Sequence, residues 1–502
     1  MLQFRKLLLL ATVIPLAACG PDDIASPGEG GFVGVPGPAP TPSPSPSPTP
    51  GTGQPAASCP DGTANVGVIA NRRNCQVSGT ITGARTLANL PGVVYSLSGR
   101  VQVGNDVGAD GNAPNGAAGI LTIEAGTVIF GSSGADFLLV NRGSQIFAEG
   151  TATNPIIFTS RQNMEGTATD NSIGQWGGIV ILGRAPTSDC IGTGAVGGTV
   201  DCQAAVEGVS NGFFGGASPA DNSGRLRYVQ VRYPGFEVAP GNELNGITLG
   251  GVGTGTTIDH VQVHNSSDDG FEWFGGGVNS RRLVFTGVDD DSLDVDLGWK
   301  GAVQFVLAVQ RETGGDRIIE GDSPGNENST PRTHPRIANA TFVSRRPNDA
   351  LLLRGGMDLT LVNSIVTGSP ICLDIDGNGT VQASGAGPEE AGPPRFESVF
   401  FSCATPFRDE SDVAGSQIAT AFNAGSNNVS NGTSTLANLF VNGANENARP
   451  AFATLTSISS YFQQVDYIGA VRNSTDLWFQ GWTCGLGFNT PSCTAIPANT
   501  AS

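Results

Sequence analysis

The sequence predicts an all-β chain, a right-handed parallel β-helix solenoid, and three observations carry that prediction. Strand-sized apolar phrases recur at a step near 22 residues. Gly, Asn, Asp and Ser separate them, without a sustained helical period. About 440 residues beyond residue 58 then run on without a second linker, more than a single compact core usually organises. An elongated repeat resolves that excess, because each coil buries its inward side chains only against its neighbours.

The elements follow in order along the chain. Residues 1–18 read as a lipoprotein signal peptide: Arg5 and Lys6 precede the apolar run from Leu7 to Ala18, which is too short to span a bilayer. Leu16-Ala17-Ala18-Cys19 resembles the bacterial lipobox, which implies acylation of Cys19, palmitate among the acyl chains, and a membrane partner through that anchor. Gly20-Pro21 lacks the Asp that retains many lipoproteins at the inner membrane, so outer-membrane placement is expected, on the surface or facing the periplasm. Residues 19–58 read as a disordered Pro/Ser/Gly-rich linker, marked by the alternating prolines of 41–50. In polyproline geometry it reaches up to ~100 Å.

Residues 59–119 are expected to cap the N-terminal end, 120–405 to form the coils, and 406–502 to supply the last coils and a C-terminal cap. The repeat is countable at Asp269-Gly-Phe-Glu-Trp273, Asp291-Ser-Leu-Asp-Val295, Asp316-Arg-Ile-Ile-Glu320, Asp349-Ala-Leu-Leu-Leu353 and Pro370-Ile-Cys-Leu-Asp374. Their starts are separated by 22, 25, 33 and 21 residues. Residues above the basic step must leave as loops, the largest at 321–336 and 187–216. Segments 416–424 and 434–441 look weakly helical.

Eight cysteines follow Cys19 in close sequence pairs: Cys59 with Cys75, Cys190 with Cys202, Cys372 with Cys403, and Cys484 with Cys493. Local disulfides are the simplest reading for an exported chain. The net charge of −18, with Lys only at positions 6 and 300, argues against nucleic acid and anionic lipid as partners. It suits cations or neutral glycans; a glycan or a surface protein is the expected ligand. A monomer is expected.

The phrases 175–183, 226–235, 265–275, 289–294 and 481–483 resemble a group of bacterial surface lipoproteins within the β-helix superfamily of pectate lyases and polygalacturonases. The resemblance implies architecture and location but little chemistry.

Chemistry concentrates in a run of carboxylates. With Phe271 and Trp273 alternating inward against Leu293, Val295 and Leu297, residues Glu272, Asp294 and Asp296 turn outward. Glu272 and Asp294 then stack one strand spacing apart, roughly 4.8 Å, with Asp268, Asp269, Asp289, Asp290 and Asp291 in the adjoining turns. Like charges that close need a cation, a shared proton or a positive partner.

Three readings compete: turn-filling Asp side chains that bind nothing; a Ca²⁺ site formed by Glu272, Asp289, Asp291, Asp294 and Asp296; and acid–base catalysis on polysaccharide by Asp268, Asp269, Glu272, Asp290 and Asp294. No cofactor is required on the first and third readings. The polygalacturonase Gly-His-Gly and Arg-Ile-Lys motifs are absent. A lyase would need an Arg base, with Arg281, Arg282, Arg317 and Arg354 as candidates.

His260 and His264, four residues apart on a strand, are about 13 Å apart and read as surface residues, too distant to share a metal. Trp176, Trp273 and Trp299 are candidates to stack on sugars, with core packing favoured for Trp273, and Trp299 with Lys300 is the expected ligand contact for an acidic sugar. The sequence therefore points to a non-catalytic binding, adhesion or matrix scaffold. A lyase or hydrolase and an accessory subunit of an outer-membrane uptake system are the alternatives.

Overall fold

The structure, a computed structural model, describes residues 53–239, 241–323 and 327–497. The signal peptide, Cys19 and nearly all of the linker lie outside the described residues.

One long sheet system winds into a parallel β-helix with three faces. The front face stacks Phe137–Val140, Gly178–Leu182, Ile247–Gly250, Phe271–Phe274, Leu293–Asp296, Ile319–Gly321, Asp349–Leu353, Ile371–Ile375 and Thr405–Phe407, every neighbour parallel. The second and third faces share continuous strands such as Thr257–His264, Asn279–Thr286 and Ala302–Val309.

A single residue with positive φ bends each such strand from one face to the next: Tyr228, His260, Arg282, Phe305, Asn339, Asn363 and Ser398, at φ between 49° and 64°. Asn tolerates this left-handed geometry; Tyr, His and Phe adopt it here because stacked neighbours hold the bend. The bends are spaced by 32, 22, 23, 34, 24 and 35 residues. The shortest steps are the bare coil, and the surplus of the others leaves as loops.

Alternation places one side of each strand in a continuous core. On the front face Ile247, Phe271, Leu293 and Ile319 form one inward column, and Leu249, Trp273 and Val295 form another. Parallel strands buried in this way stabilise by stacking apolar columns, each fully buried large side chain contributing roughly 1.5–3 kcal/mol.

The ends differ from the sequence expectation. Arg72–Ile81 already pairs in parallel with Val93–Val103, so coils begin well before residue 120. The cap proper is Ala64–Ile69, antiparallel to Arg72–Ile81.

At the other end the helix Gly415–Ala424 buries Ile418 and Phe422 against Phe396 and Phe401. Residues 434–441 form no helix. A further rung follows, Val429 bridging Phe400 in parallel, and the chain beyond it is not an end cap but a returning strap. The strap packs Leu455 and Phe462 on Ala302, Ala338 and Val362 of the second face, and Ile468, Val471 and Trp482 on Ile365, Leu307 and Val284 of the third. Three outward glutamines hold its backbone: Gln304 to Gln463, Gln262 to Cys484 and Gln230 to Trp482 O. The strap reaches the N-terminal end, where Arg72 donates to Pro497 O.

All four cysteine pairs form disulfides as their proximity suggests, with S–S distances of 2.00–2.03 Å.

Candidate carboxylate site on the front face

The outward side of the front face carries the column Thr248, Glu272, Asp294, Glu320, Leu352, Asp374 in parallel register. Glu272 and Asp294 are thus direct neighbours, as alternation implies. The preceding turn stacks too. Asn245 Oδ1 accepts from Asp269 N, Asp269 Oδ1 from Asp291 N, and Asp291 Oδ1 from Arg317 N, at 3.2, 3.1 and 2.6 Å. Asp269 and Asp291 therefore each tie one coil to the next, which occupies one oxygen of each.

The remaining oxygens converge. One ligand atom from each of Asp269, Glu272 and Asp294 lies within 4.8 Å of the others; the same holds for Asp268, Asp269 and Asp290, and for Asp290, Asp291 and Asp316. Asp269 and Asp290 each belong to two of these groups. Glu272 accepts a hydrogen bond from the Asn245 amide, whereas Asp294 Oδ1 is buried without a hydrogen-bond partner. Among the described residues none of Asp268, Asp269, Glu272, Asp290, Asp291, Asp294 or Asp296 has an ion-pair partner within 4.0 Å.

Burial and mutual repulsion dominate the electrostatics. Burial, then Asp290, Glu243 and Glu207, raises Asp268 to about 8. Burial raises Asp296 to about 8, with Asp322 and Asp189 adding to it. Burial with Asp316 and Glu320 raises Asp290 to about 6. Asp269, Glu272, Asp291 and Asp294 are pushed well above the ordinary carboxylate range by burial and by one another. At neutral pH the cluster must hold protons or a cation.

Two of the expected cation ligands are placed differently. Asp289 turns away to pair with Arg311. Asp296 accepts from Leu297 N. Leu297, at φ 49°, does not enter the main core but packs outward under the 187–216 insertion with Val206, Val209 and Phe214.

That insertion, closed by Cys190–Cys202, stacks Phe214 on Phe274 and brings Glu207 to the cluster's edge. Glu207, Glu243, Asn245, Asp316 and Glu320 all belong to the site and none was singled out by sequence reasoning. Asp316 and Glu320 stand at the repeat positions that define the next coil, a signal that extending the alignment by one coil exposes.

Of the four candidate arginines, two are remote from the cluster. Arg281 lies over the Tyr461 ring of the strap, and Arg282 pairs with Asp259. Arg317 is held by Asp316 and Glu320, and Arg354 by Glu320 and Asp322.

The aromatic and histidine expectations are corrected. Trp176, Trp273 and Trp299 are all 0% exposed, so none offers a face to sugar. Trp299 stacks on Trp273 at 4.8 Å. Gly298 at φ 87° turns the chain, and Gly301 leaves room for the indole, since a Cβ there would sit 2.3 Å from its ring. Lys300 remains at the surface but pairs with Glu389. His260 and His264 are not on the surface: the strap covers them, Trp482 lying edge-on to His260 and Gly485 beside His264.

A family model described as pectate-lyase like beta helix domain matches residues 88–483. No curated protein and no solved structure gives a significant match.

Proposed function

Because the chain belongs to the pectate-lyase-like β-helix family, we propose that it is a surface scaffold that binds a glycan or surface protein through a Ca²⁺-loaded front face, without turning over the ligand. The observation that carries this reading is the set of seven buried or half-buried carboxylates without a cationic partner on two adjacent coils. The donor set is all oxygen, which suits a hard cation. The orphaned Asp294 Oδ1 fits the same role.

Asp269, Glu272 and Asp294 would hold one ion. A bound ion would neutralise the cluster and offer open coordination positions to acidic groups of a ligand. The nearby guanidinium groups of Arg317 and Arg354 are committed to their own carboxylates, which weighs against a lyase base. Lys300, paired with Glu389 at the edge of the same face, remains a candidate ligand contact.

A second reading is favoured by one observation. The raised carboxyls of Asp269, Glu272 and Asp294 lie close enough together to serve as acid and nucleophile of a retaining glycoside hydrolase. Binding to a panel of acidic polysaccharides, with Ca²⁺ and with EDTA, separates the two when products are assayed in parallel. Ca²⁺-dependent binding with no new reducing ends or unsaturated products is the expected result. Turnover that Glu272→Gln abolishes would replace the scaffold reading with the enzymatic one.

The location proposed for this scaffold is the outer membrane, through acylated Cys19. Labelling with palmitate should be lost in Cys19→Ser, while an unlabelled wild-type protein would overturn the anchor.

A further inference from the structure

A second acidic group lies away from the front-face cluster, and a different physical problem defines it. Segment 382–394 is exposed over most of its length, yet Glu390 within it is buried. Its carboxylate meets Arg332 and Asp358, and the three side chains are 2%, 1% and 3% exposed respectively. Arg332 Nη2 pairs with Glu390, while Arg332 Nε stands 3.7 Å from Asp358 Oδ1, too far for a hydrogen bond. That Asp358 oxygen is buried with no donor, although Asp358 and Glu390 are within hydrogen-bonding reach of each other. Two buried carboxylates thus share one guanidinium, and the missing element is a proton between them.

The other charges around the group do not supply it. His334 lies 3.8 Å from Asp358 but is neutral, because burial, Arg336 and Lys300 push it down to about 3. Arg336 gives its Nη1 to Lys300 O. Lys300 is paired with Glu389, and Arg332 Nη1 donates to the backbone carbonyl of Glu327. The segment is also tied to the rest of the chain where Glu389 accepts from Arg332 N and Asp358 from Ala391 N, while within the segment Glu390 accepts from Gln382 and from Gly392 N.

We propose that segment 382–394 is a lid latched by a proton that Asp358 holds and donates toward Glu390, closed in mild acid and released as pH rises. Burial and the adjacent Glu390 raise Asp358 to about 7, so the closed lid binds more protons than the open one. Closure is therefore strongest below the ordinary carboxylate range and is lost as pH climbs through about 7.

Release changes the neighbouring cleft of about 300 Å³ between Pro186, Gly276, Gly298 and Pro331, which Lys300 and Arg336 also line. Glu389 leaves with the lid, so Lys300 is unmasked for an anionic group. The latch stands independently of the cation reading of the front face.

Hydrogen exchange of the full chain in EDTA, corrected for the intrinsic pH dependence of exchange, tests the latch. Residues 382–394 should exchange at least about tenfold faster at pH 8 than at pH 5. Glu390→Gln keeps shape and hydrogen-bonding capacity without the second charge. It should abolish the pH-dependent rise, with an unchanged melting transition as the check on folding.

Lys300→Met should retain the rise, since the Lys300–Glu389 pair is not the titrating element. Equal protection at both pH values, a rise that survives Glu390→Gln, or a rise lost in Lys300→Met would each overturn the proposal.

Discussion

The outward column of the front face carries two kinds of acidic coil. On the coils at 268–296 no carboxylate of the converging cluster has an ion-pair partner. From 316 onward arginine interleaves: Arg317 and Arg354 serve Asp316, Glu320 and Asp322, and Arg408 serves Asp349, Asp374 and Glu410. The backbone, register and alternation are the same in both regions. The later coils neutralise their carboxylates from within the chain, whereas the coils at 268–296 leave theirs without a counterion, which is the difference the proposed cation would make up.

Breaking the paired region should cost most. Arg408→Ala strands Asp349, 3% exposed, and Asp374 beside it. With Arg408 itself partly exposed, the expected loss is about 2–3 kcal/mol, read from denaturant unfolding. An unchanged midpoint would remove the distinction between the regions.

The unpaired region should respond in the opposite sense. In EDTA, Glu272→Gln relieves repulsion from Asp294 while keeping an acceptor for Asn245, and should stabilise by up to about 1 kcal/mol. In Ca²⁺ the same substitution should lower the melting temperature relative to the wild type.

The pH dependence sharpens the contrast further. Raised carboxyls mean that the folded, metal-free protein holds protons which the unfolded chain releases. Their contribution is fully present below the ordinary carboxylate range and is lost as pH rises through about 6 at Asp290 and about 8 at Asp268 and Asp296. Melting temperature in EDTA should therefore fall between pH 5 and 9, and Ca²⁺ should flatten that fall. The smallest effect belongs to Lys300→Ala, which removes a half-exposed pair with Glu389 and should stay within about 0.5 kcal/mol.

What the sequence made legible was local. Alternation alone put Phe271, Trp273, Leu293 and Val295 inside and stacked Glu272 on Asp294. Sequence proximity alone paired the cysteines. What it hid depended on loops of unequal length and on distant returns of the chain. Glu207 and Glu243 reach the cluster from insertions whose path no repeat dictates. Trp299 escaped because its neighbours Gly298 and Lys300 suggest an exposed turn, whereas the space at Gly301 lets the indole turn in and stack on Trp273. His260 and His264 were misplaced because the strap covering them lies more than 200 residues later.

Calcium titration by calorimetry at pH 7.5, repeated in two buffers of different ionisation enthalpy, tests the central claim most directly. Carboxyls that hold protons near this pH must give them up to an entering cation. The expected result is saturable binding with buffer-dependent heat, reporting proton release, both lost in a Glu272→Gln/Asp294→Asn double variant. No saturable heat at millimolar Ca²⁺, or the same heat in the double variant, would contradict the assignment of the unpaired carboxylates to a cation.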